Sequence, residues 1–359
     1  MKIAFDVSPL SHPLAGIGNY LRGSLAGLVE AAGDRHEIVA FAPTSPSGRH
    51  AIPAALEGID VELRLWPLLP SHAIRMAWSR LGRPSVERLL GTVDVLHFSD
   101  WMYPPQRAGV RATTIHDLVP LRFPEWTTPR TRSMHGRKYA NAAATCDVIF
   151  CNSAYTAGDV REHLGVPERK LRVAPPGLGR GLTADGPVHD RGKPYLLTVA
   201  TLEPRKNLGT LLDAHALLGG EPALAVAGGA GWGEQPALDR PGVVPLGFVG
   251  DDELGDLYRG AAAFVYPSRF EGFGMPIVEA MACGTPVVAS GHPSMDEACG
   301  DAAIRVDPDS PEAIAEGIRR ALADPGDLVG RGLEHARRFT WRAVGDAFLA
   351  GYEEALARR

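Results

Sequence analysis

The sequence predicts an α/β protein of two doubly wound, mostly parallel domains facing a central cleft. Three observations carry that expectation. Short apolar runs alternate with amphipathic helical stretches along the chain. The alternation breaks once, at a glycine-, proline- and charge-rich segment from Pro176 to Lys193, and then restarts. At 359 residues the chain is long for one domain and comfortable for two. The expected boundaries are a first domain at 1–176, a linker at 177–193, a second domain at 194–340, and a final helix at 341–359 packing back towards the first domain.

In the first half, Lys2 to Val7 reads as a buried parallel strand and Ser8 to Gly18 as a loop. Asn19 then opens an amphipathic helix with Leu21, Leu25, Leu28 and Val29 on one face. Strand-like runs recur at His36–Ala42, Val61–Trp66, Val93–Phe98, Ala112–Ile115, Val148–Cys151 and Leu171–Ala174, with helical stretches at about 72–90, 129–144 and 154–164. In the second half the strands are Tyr195–Ala200, Ala223–Ala227, Val243–Phe248, Ala263–Tyr266, Val287–Ser290 and Ala303–Val306. Helices fall at Leu208–Leu218, Asp252–Ala261, from Pro276 to Gly284, at Pro311–Ala323, and from Trp341 to the end.

A net charge of −5 and an ordinary apolar fraction give no global reason to bind a polyanion, so nucleic-acid binding is not expected. The four cysteines, Cys146, Cys151, Cys283 and Cys299, lack metal or disulfide-scaffold spacing and read as buried thiols. Asp307-Pro-Asp309 has the spacing of a carboxylate metal motif, but Ser310-Pro311-Glu312 follows, so turn formation and helix capping explain it better. No protein-bound metal is expected. The chain opens directly on an apolar strand, so no leader is expected, and no apolar run approaches the ~20 residues of a membrane span. The expected location is the cytoplasm.

Chemistry concentrates at strand ends. After Ala263–Tyr266 comes Glu271-Gly-Phe-Gly274, then a helix carrying Glu279. Gly272 and Gly274 allow a ligand close to the backbone, and a helix N-terminus behind them favours an anion. Glu271 and Glu279 beside such an anion are best explained as acceptors for sugar hydroxyls. Glu203-Pro-Arg-Lys-Asn207 places Arg205 and Lys206 at another strand end, against the helix-dipole preference. A diphosphate supplies a reason for them there, as a leaving group needing charge stabilisation; a solvated pair is the blander alternative. In the first half, Gly16 and Gly18 could offer amides to a phosphate, although the third glycine of a dinucleotide fingerprint is missing. His116-Asp117 closes the run Ala112–Ile115, where His116 could face a substrate hydroxyl and Asp117 orient it or meet an acceptor. Arg130, Arg132, His135, Arg137 and Lys138 read as one basic face, and Leu65-Trp-Pro-Leu-Leu-Pro70 as an apolar loop. Together they leave room for an anionic acceptor or a peripheral contact at the inner face of a membrane.

Gly16-Ile-Gly18, His116-Asp117, Glu203-Pro-Arg-Lys-Asn207 and Glu271 through Glu279 together resemble the retaining GT-B glycosyltransferases of family 4, along almost the whole chain. The resemblance implies two Rossmann-like domains, the first binding the acceptor and the second a nucleotide-sugar donor. It implies that Arg205 and Lys206 hold the donor diphosphate, that Glu271 and the amides of Gly272, Phe273 and Gly274 hold the sugar, and that Glu279 binds the ribose. His116 then faces the transferred sugar, and Gly16 and Gly18 close over the phosphate. Ala200-Thr201 stands where many relatives carry Gly-Arg, a departure at the diphosphate clamp. The form of the Glu203 motif looks most like bacterial mannosyltransferases of surface polysaccharides. That implies transfer of mannose or a related hexose, from GDP-mannose or a UDP-sugar, to a glycan, lipid-linked or small-molecule acceptor, with no cofactor or metal. Two other functions compete: a nucleotide-sugar epimerase of the same fold, and a catalytically idle nucleotide-sugar-binding subunit.

Overall fold

A computed structural model of the chain describes residues 1–359 except 13–15, 67–73, 75–76, 79–80, 100–102 and 234. Two compact units are present. The first comprises Met1–Pro124, Thr128–Gly177 and Thr340–Arg359, and the second Glu125–Thr127 and Leu178–Phe339.

The first unit is built on seven parallel strands: β1 Lys2–Asp6, β2 Glu37–Pro43, β3 Glu62–Trp66, β4 Val95–Phe98, β5 Val110–Ile115, β6 Val148–Cys151 and β7 Leu171–Val173. Their order is β3-β2-β1-β4-β5-β6-β7. The second unit has six: β8 Tyr195–Val199, β9 Ala223–Ala227, β10 Val243–Gly247, β11 Ala263–Tyr266, β12 Val287–Ser290 and β13 Ala303–Val306, in the order β10-β9-β8-β11-β12-β13. Strands such as Val-Val-Ala-Ser in β12 are buried along their whole length, because helices cover both faces of a parallel sheet. Strand order reverses between β1 and β4 and between β8 and β11, and loops diverging at such a point leave a crevice at the strands' carboxyl ends.

Helices that the periodicity marks clearly appear with close boundaries, such as Ala154–Leu164, capped by Ser153, and Pro311–Ala323, capped by Ser310. The Ser310 cap and the Asp309 amide donating to the Asp307 carboxylate account for that acidic stretch, as its spacing predicts. All four cysteines are buried free thiols. Among the described residues, two helices of eight residues or more escape the sequence reading. Gly48–Ala55 contains Pro53, and Leu328–Ala336 contains Gly330 and Gly332, so each carries a residue that weakens helical pattern. Of the stretch 72–90 read as helical, Glu87–Leu90 is a helix and much of the remainder lies outside the described residues. Leu65 and Trp66 end β3, and the rest of that apolar loop, 67–70, lies outside them too. The segment from Leu178 has no regular element before β8 but packs onto the second unit. Leu182 joins its core, and Arg259 donates to the carbonyls of Gly181, Thr183 and Pro187.

The reading of Ser8 to Gly18 as a loop is corrected. A 3₁₀ turn occupies Ser8–Ser11, and the helix begins at Gly16 rather than Asn19, running to Ala32. Gly16 enters it at a φ of +23°, which a side chain disfavours. The single basic face on the helix Pro129–Thr145 is corrected as well. Arg130 and Arg137 are exposed, but Lys138 is buried and donates to the Thr114 carbonyl at 2.8 Å. Adjacent residues on a helix point about 100° apart, so Arg137 and Lys138 cannot share a face. Among the described residues no helix is long and apolar enough to cross a membrane.

The terminal helix Trp341–Ala357 lies against the helix Gly16–Ala32 within the first unit, in a crossing made by small residues. A Cβ on Gly27 would stand 1.8 Å from the Trp341 carbonyl oxygen, and one on Gly345 2.0 Å from the Gly27 oxygen. His97 fastens the same helix to the sheet: its Nδ1 meets the Tyr352 hydroxyl at 2.6 Å and its Nε2 the Thr114 hydroxyl at 3.1 Å. Burial pushes the His97 pKa down to about 3, so the ring stays neutral.

Two predictions follow from this packing. Gly345→Ala forces backbone apart and should destabilise the first unit by ~1–3 kcal/mol, visible as an earlier thermal transition; an unmoved transition would mean the crossing tolerates separation. Burial also lowers the Lys138 ammonium to about pKa 7. Between that value and the unfolded lysine value of about 10.4 the unfolded chain binds the extra proton, so this residue's contribution to stability rises with pH. The stability gained by Lys138→Met should therefore be largest below about pH 7 and shrink towards pH 10, measured by denaturant melts across that range.

Candidate functional site

The second unit brings three of the expected residues into direct contact. Arg205 and Lys206 lie in the 3₁₀ turn Pro204–Lys206 beyond β8, and Glu271 lies in the loop beyond β11, the neighbouring strand across the reversal point. Arg205 Nη1 donates to Glu271 Oε2, and Lys206 Nζ to Glu271 Oε1 at 2.8 Å. Arg205 Nη2 also reaches Glu203 Oε1 at 2.6 Å. The solvated-pair alternative is thereby excluded: the Arg205 and Lys206 side chains are only 16% and 11% exposed.

Local structure holds this cluster. Asn207 adopts a left-handed backbone at φ 60°, which asparagine tolerates, and its side-chain amide donates to the carbonyls of Pro267 and Pro308. The Arg269 amide donates to the Arg205 carbonyl at 2.9 Å, joining the two loops directly. The Glu271 amide donates to Ser294 Oγ at 3.1 Å, and the Tyr266 hydroxyl to Glu271 Oε1 at 2.9 Å while accepting from Lys206 Nζ at 2.6 Å. Burial alone would raise the Glu271 carboxyl, but Arg205 and Lys206 overcome it and hold the pKa at about 2. Burial lowers the Lys206 pKa, with Arg205 adding to the effect and Glu271 opposing it.

Gly272, Phe273 and Gly274 follow, all buried. Gly274 sits at φ +103° immediately before the helix Met275–Ala282, and Phe273 turns into the core against Phe339. This main chain leads into a helix whose first-turn amides have no acceptor within it. Glu279 is placed apart from Glu271, on that helix, where its Oε2 accepts from the Tyr258 hydroxyl at 2.9 Å.

In the first unit His116 and Asp117 follow β5. The Asp117 carboxylate accepts from the Val119 amide at 2.9 Å and so starts the short helix Val119–Arg122, while its charge also favours the protonated His116 ring. Against His116 Nδ1 stands Asn152 Nδ2 at 3.1 Å. Tyr20 meets the His116 ring edge-on, centroids 4.6 Å apart, bringing the helix begun by Gly16 and Gly18 to the same histidine. Gly18 lies in that helix's first turn, where its N–H has no intrahelical acceptor.

Sequence reasoning passed over Asn152, Tyr20, Tyr258, Tyr266 and Ser294. Asn152 had a readable signal. Parallel register pairs Ile115 with Cys151, so the next residues, His116 and Asn152, fall side by side. Tyr266 closes β11, just before the loop that carries Glu271, but its two partners come from a contact no periodicity reveals.

The Asn152 contact bears on the ring tautomer. Burial lowers the His116 pKa against the opposing effects of Asp117 and Asn152, and Asn152 Nδ2, as the donor at Nδ1, would leave the ring proton on Nε2. Long-range ¹H–¹⁵N correlation spectra should show His116 as the Nε2–H tautomer. In Asn152→Asp the proton should move to Nδ1 and the pKa rise; an unchanged tautomer would dismiss the assignment.

Comparisons with known proteins bear on what this arrangement is. A family model described as glycosyl transferases group 1 matches residues 184–343, and one described as glycosyltransferase family 4 matches 15–179. The O-antigen chain mannosyltransferase B of Escherichia coli is 30% identical over 380 aligned positions, covering 95% of this chain and 96% of that one. Among solved structures, a sucrose-phosphate synthase from Thermosynechococcus elongatus superposes with a TM-score of 0.72 at 21% identity, covering 100% of both chains. Anabaena HepE in complex with UDP-glucose does so at 0.66 and 18%, covering 98% of each. The two structures speak for the fold, and the family models and the mannosyltransferase for descent. The chain belongs to the family 4 glycosyltransferases and has their GT-B fold of two parallel-sheet units.

Proposed function

We propose that this glycosyltransferase moves mannose or a related hexose from a nucleotide-diphosphate sugar to a glycan, lipid-linked or small-molecule acceptor, retaining anomeric configuration without a metal. The observation that carries the proposal is the contact of Arg205, Lys206 and Glu271 at the β8/β11 reversal point. Two cations there can stabilise the charge that develops on a leaving diphosphate, and a carboxylate beside them can accept from sugar hydroxyls. The amides of Gly272, Phe273 and Gly274 are the proposed sugar contacts, and Glu279, held by Tyr258, is the proposed ribose acceptor.

His116, with its proton on Nε2, would donate to a hydroxyl or ring oxygen of the transferred sugar, and Asp117 lies next to it in the chain. Gly16 and Gly18 would offer first-turn amides to phosphate. Mannose is favoured by the similarity to the O-antigen mannosyltransferase, with GDP-mannose the first donor to try; the HepE structure with UDP-glucose keeps UDP-sugars as the second. Retention and independence of metal follow the family resemblance. With Arg205 and Lys206 at the diphosphate, charge neutralisation does not require a cation from solution.

The test combines binding and turnover. GDP or UDP at a hundred times its dissociation constant should add ~2.7 kcal/mol of stability, with or without chelator. The matching sugar donor should be consumed by an acceptor with the anomeric proton signal conserved. Lys206→Ala should weaken nucleoside-diphosphate binding by ~1–3 kcal/mol in calorimetry; normal titration by that variant would remove the diphosphate from this site.

A further inference from the structure

We infer that Glu271 is a displaceable internal counter-ion: a nucleoside diphosphate takes Arg205 and Lys206 from it, and the freed carboxylate passes to the donor sugar. The inference rests on the site proposed above and adds to it how the site is loaded and emptied.

Both cations are already engaged from within the protein. Arg205 gives one terminal nitrogen to Glu271 and the Phe270 carbonyl and the other to Glu203. Lys206 gives its ammonium to Glu271 and to the Tyr266 hydroxyl. Two positive side chains thus face two negative ones, and the cluster is close to neutral. A diphosphate that docks on these cations brings its charge beside the Glu271 carboxylate, and the two anions compete for the same donors.

Glu271 is the acceptor placed to leave. Both carboxylates are buried, the Glu203 and Glu271 side chains being 4% and 8% exposed, but Glu203 touches one cation from its own segment of chain, whereas Glu271 bridges both from a separate loop. Its backbone is pinned at the amide by Ser294, so the carboxylate can turn about its own side-chain bonds without moving the loop. Tyr266 stays as an acceptor for Lys206 whichever way the carboxylate points.

A consequence for turnover follows. While the donor is intact, sugar hydroxyls offer Glu271 new donors in exchange for those it gave up. Once the sugar has been transferred they are gone, and Glu271 competes again for the cations against the diphosphate left behind. Transfer itself then promotes product release.

The experiment measures binding of the nucleoside diphosphate and of its hexose donor to wild type, Glu271→Gln and Lys206→Ala, by calorimetry and stopped flow. Glu271→Gln should bind the nucleoside diphosphate more tightly, by roughly 5- to 150-fold as for other coupled binding events, and release it more slowly. Its preference for donor over nucleoside diphosphate should fall, because the sugar contact is lost. Equal tightening of both ligands would mean Glu271 acts only as a neighbouring charge, and displacement would be wrong. Unchanged or weaker binding by Glu271→Gln, with Lys206→Ala still impaired, would overturn the inference and leave the phosphate site standing. No change in either variant would remove the site and the inference together. Should Glu271→Gln melt early, Glu271→Asp, too short to bridge both cations, should tighten nucleoside-diphosphate binding in the same direction.

Discussion

Two charged segments that would repel themselves in isolation, Arg205-Lys206 and the pair Glu203 and Glu271, hold the loops beyond β8 and β11 together. Burying any one of these charges alone would cost several kcal/mol, and the set survives burial because each member has an opposite partner and hydrogen bonds. The network also explains the surrounding architecture. Asn207 takes a left-handed turn to end the cationic segment, and the Arg269 amide ties the acidic loop to it. Ser294 fixes the Glu271 backbone from a third loop, beyond β12.

The two sheets use the same topology for different chemistry. At the ends of β8 and β11 the loops carry formal charges balanced against one another. Beyond β5 and β6 in the first unit, to one side of its own reversal point at β1 and β4, stand His116 and Asn152, the imidazole held neutral by burial against the opposing effects of Asp117 and Asn152. One unit thus sets paired formal charges at its strand ends, and the other an imidazole beside an amide. That division follows from what each strand end carries, not from the fold, which is alike in both.

Much of this was legible in the chain. Parallel strands buried on both faces leave short apolar runs bounded by turn residues, so β6, β9, β11, β12 and β13 could be delimited to the residue. Strand ends carrying His116, Arg205, Lys206 and Glu271 stand out because polar residues follow apolar runs. What stayed hidden depends on who meets whom across loops. No pattern says that Tyr266 bridges Lys206 and Glu271, or that Lys138 leaves its basic neighbours to reach the Thr114 carbonyl. The start of the first helix was misplaced because glycine is a poor helix former, yet Gly16 and Gly18 fall in the first turn, where geometry matters more than propensity.

The terminal helix has a consequence for how the molecule is made. Its Phe348 and Tyr352 fill the core beside Phe5, His97 and Phe150, strand residues from the first half of the chain. A ribosome delivers all of residues 178–339 before that helix emerges. The second unit can therefore close on its own schedule, while the first waits with an apolar face uncovered. During that interval the part of the protein synthesised first is the part most in need of protection from aggregation.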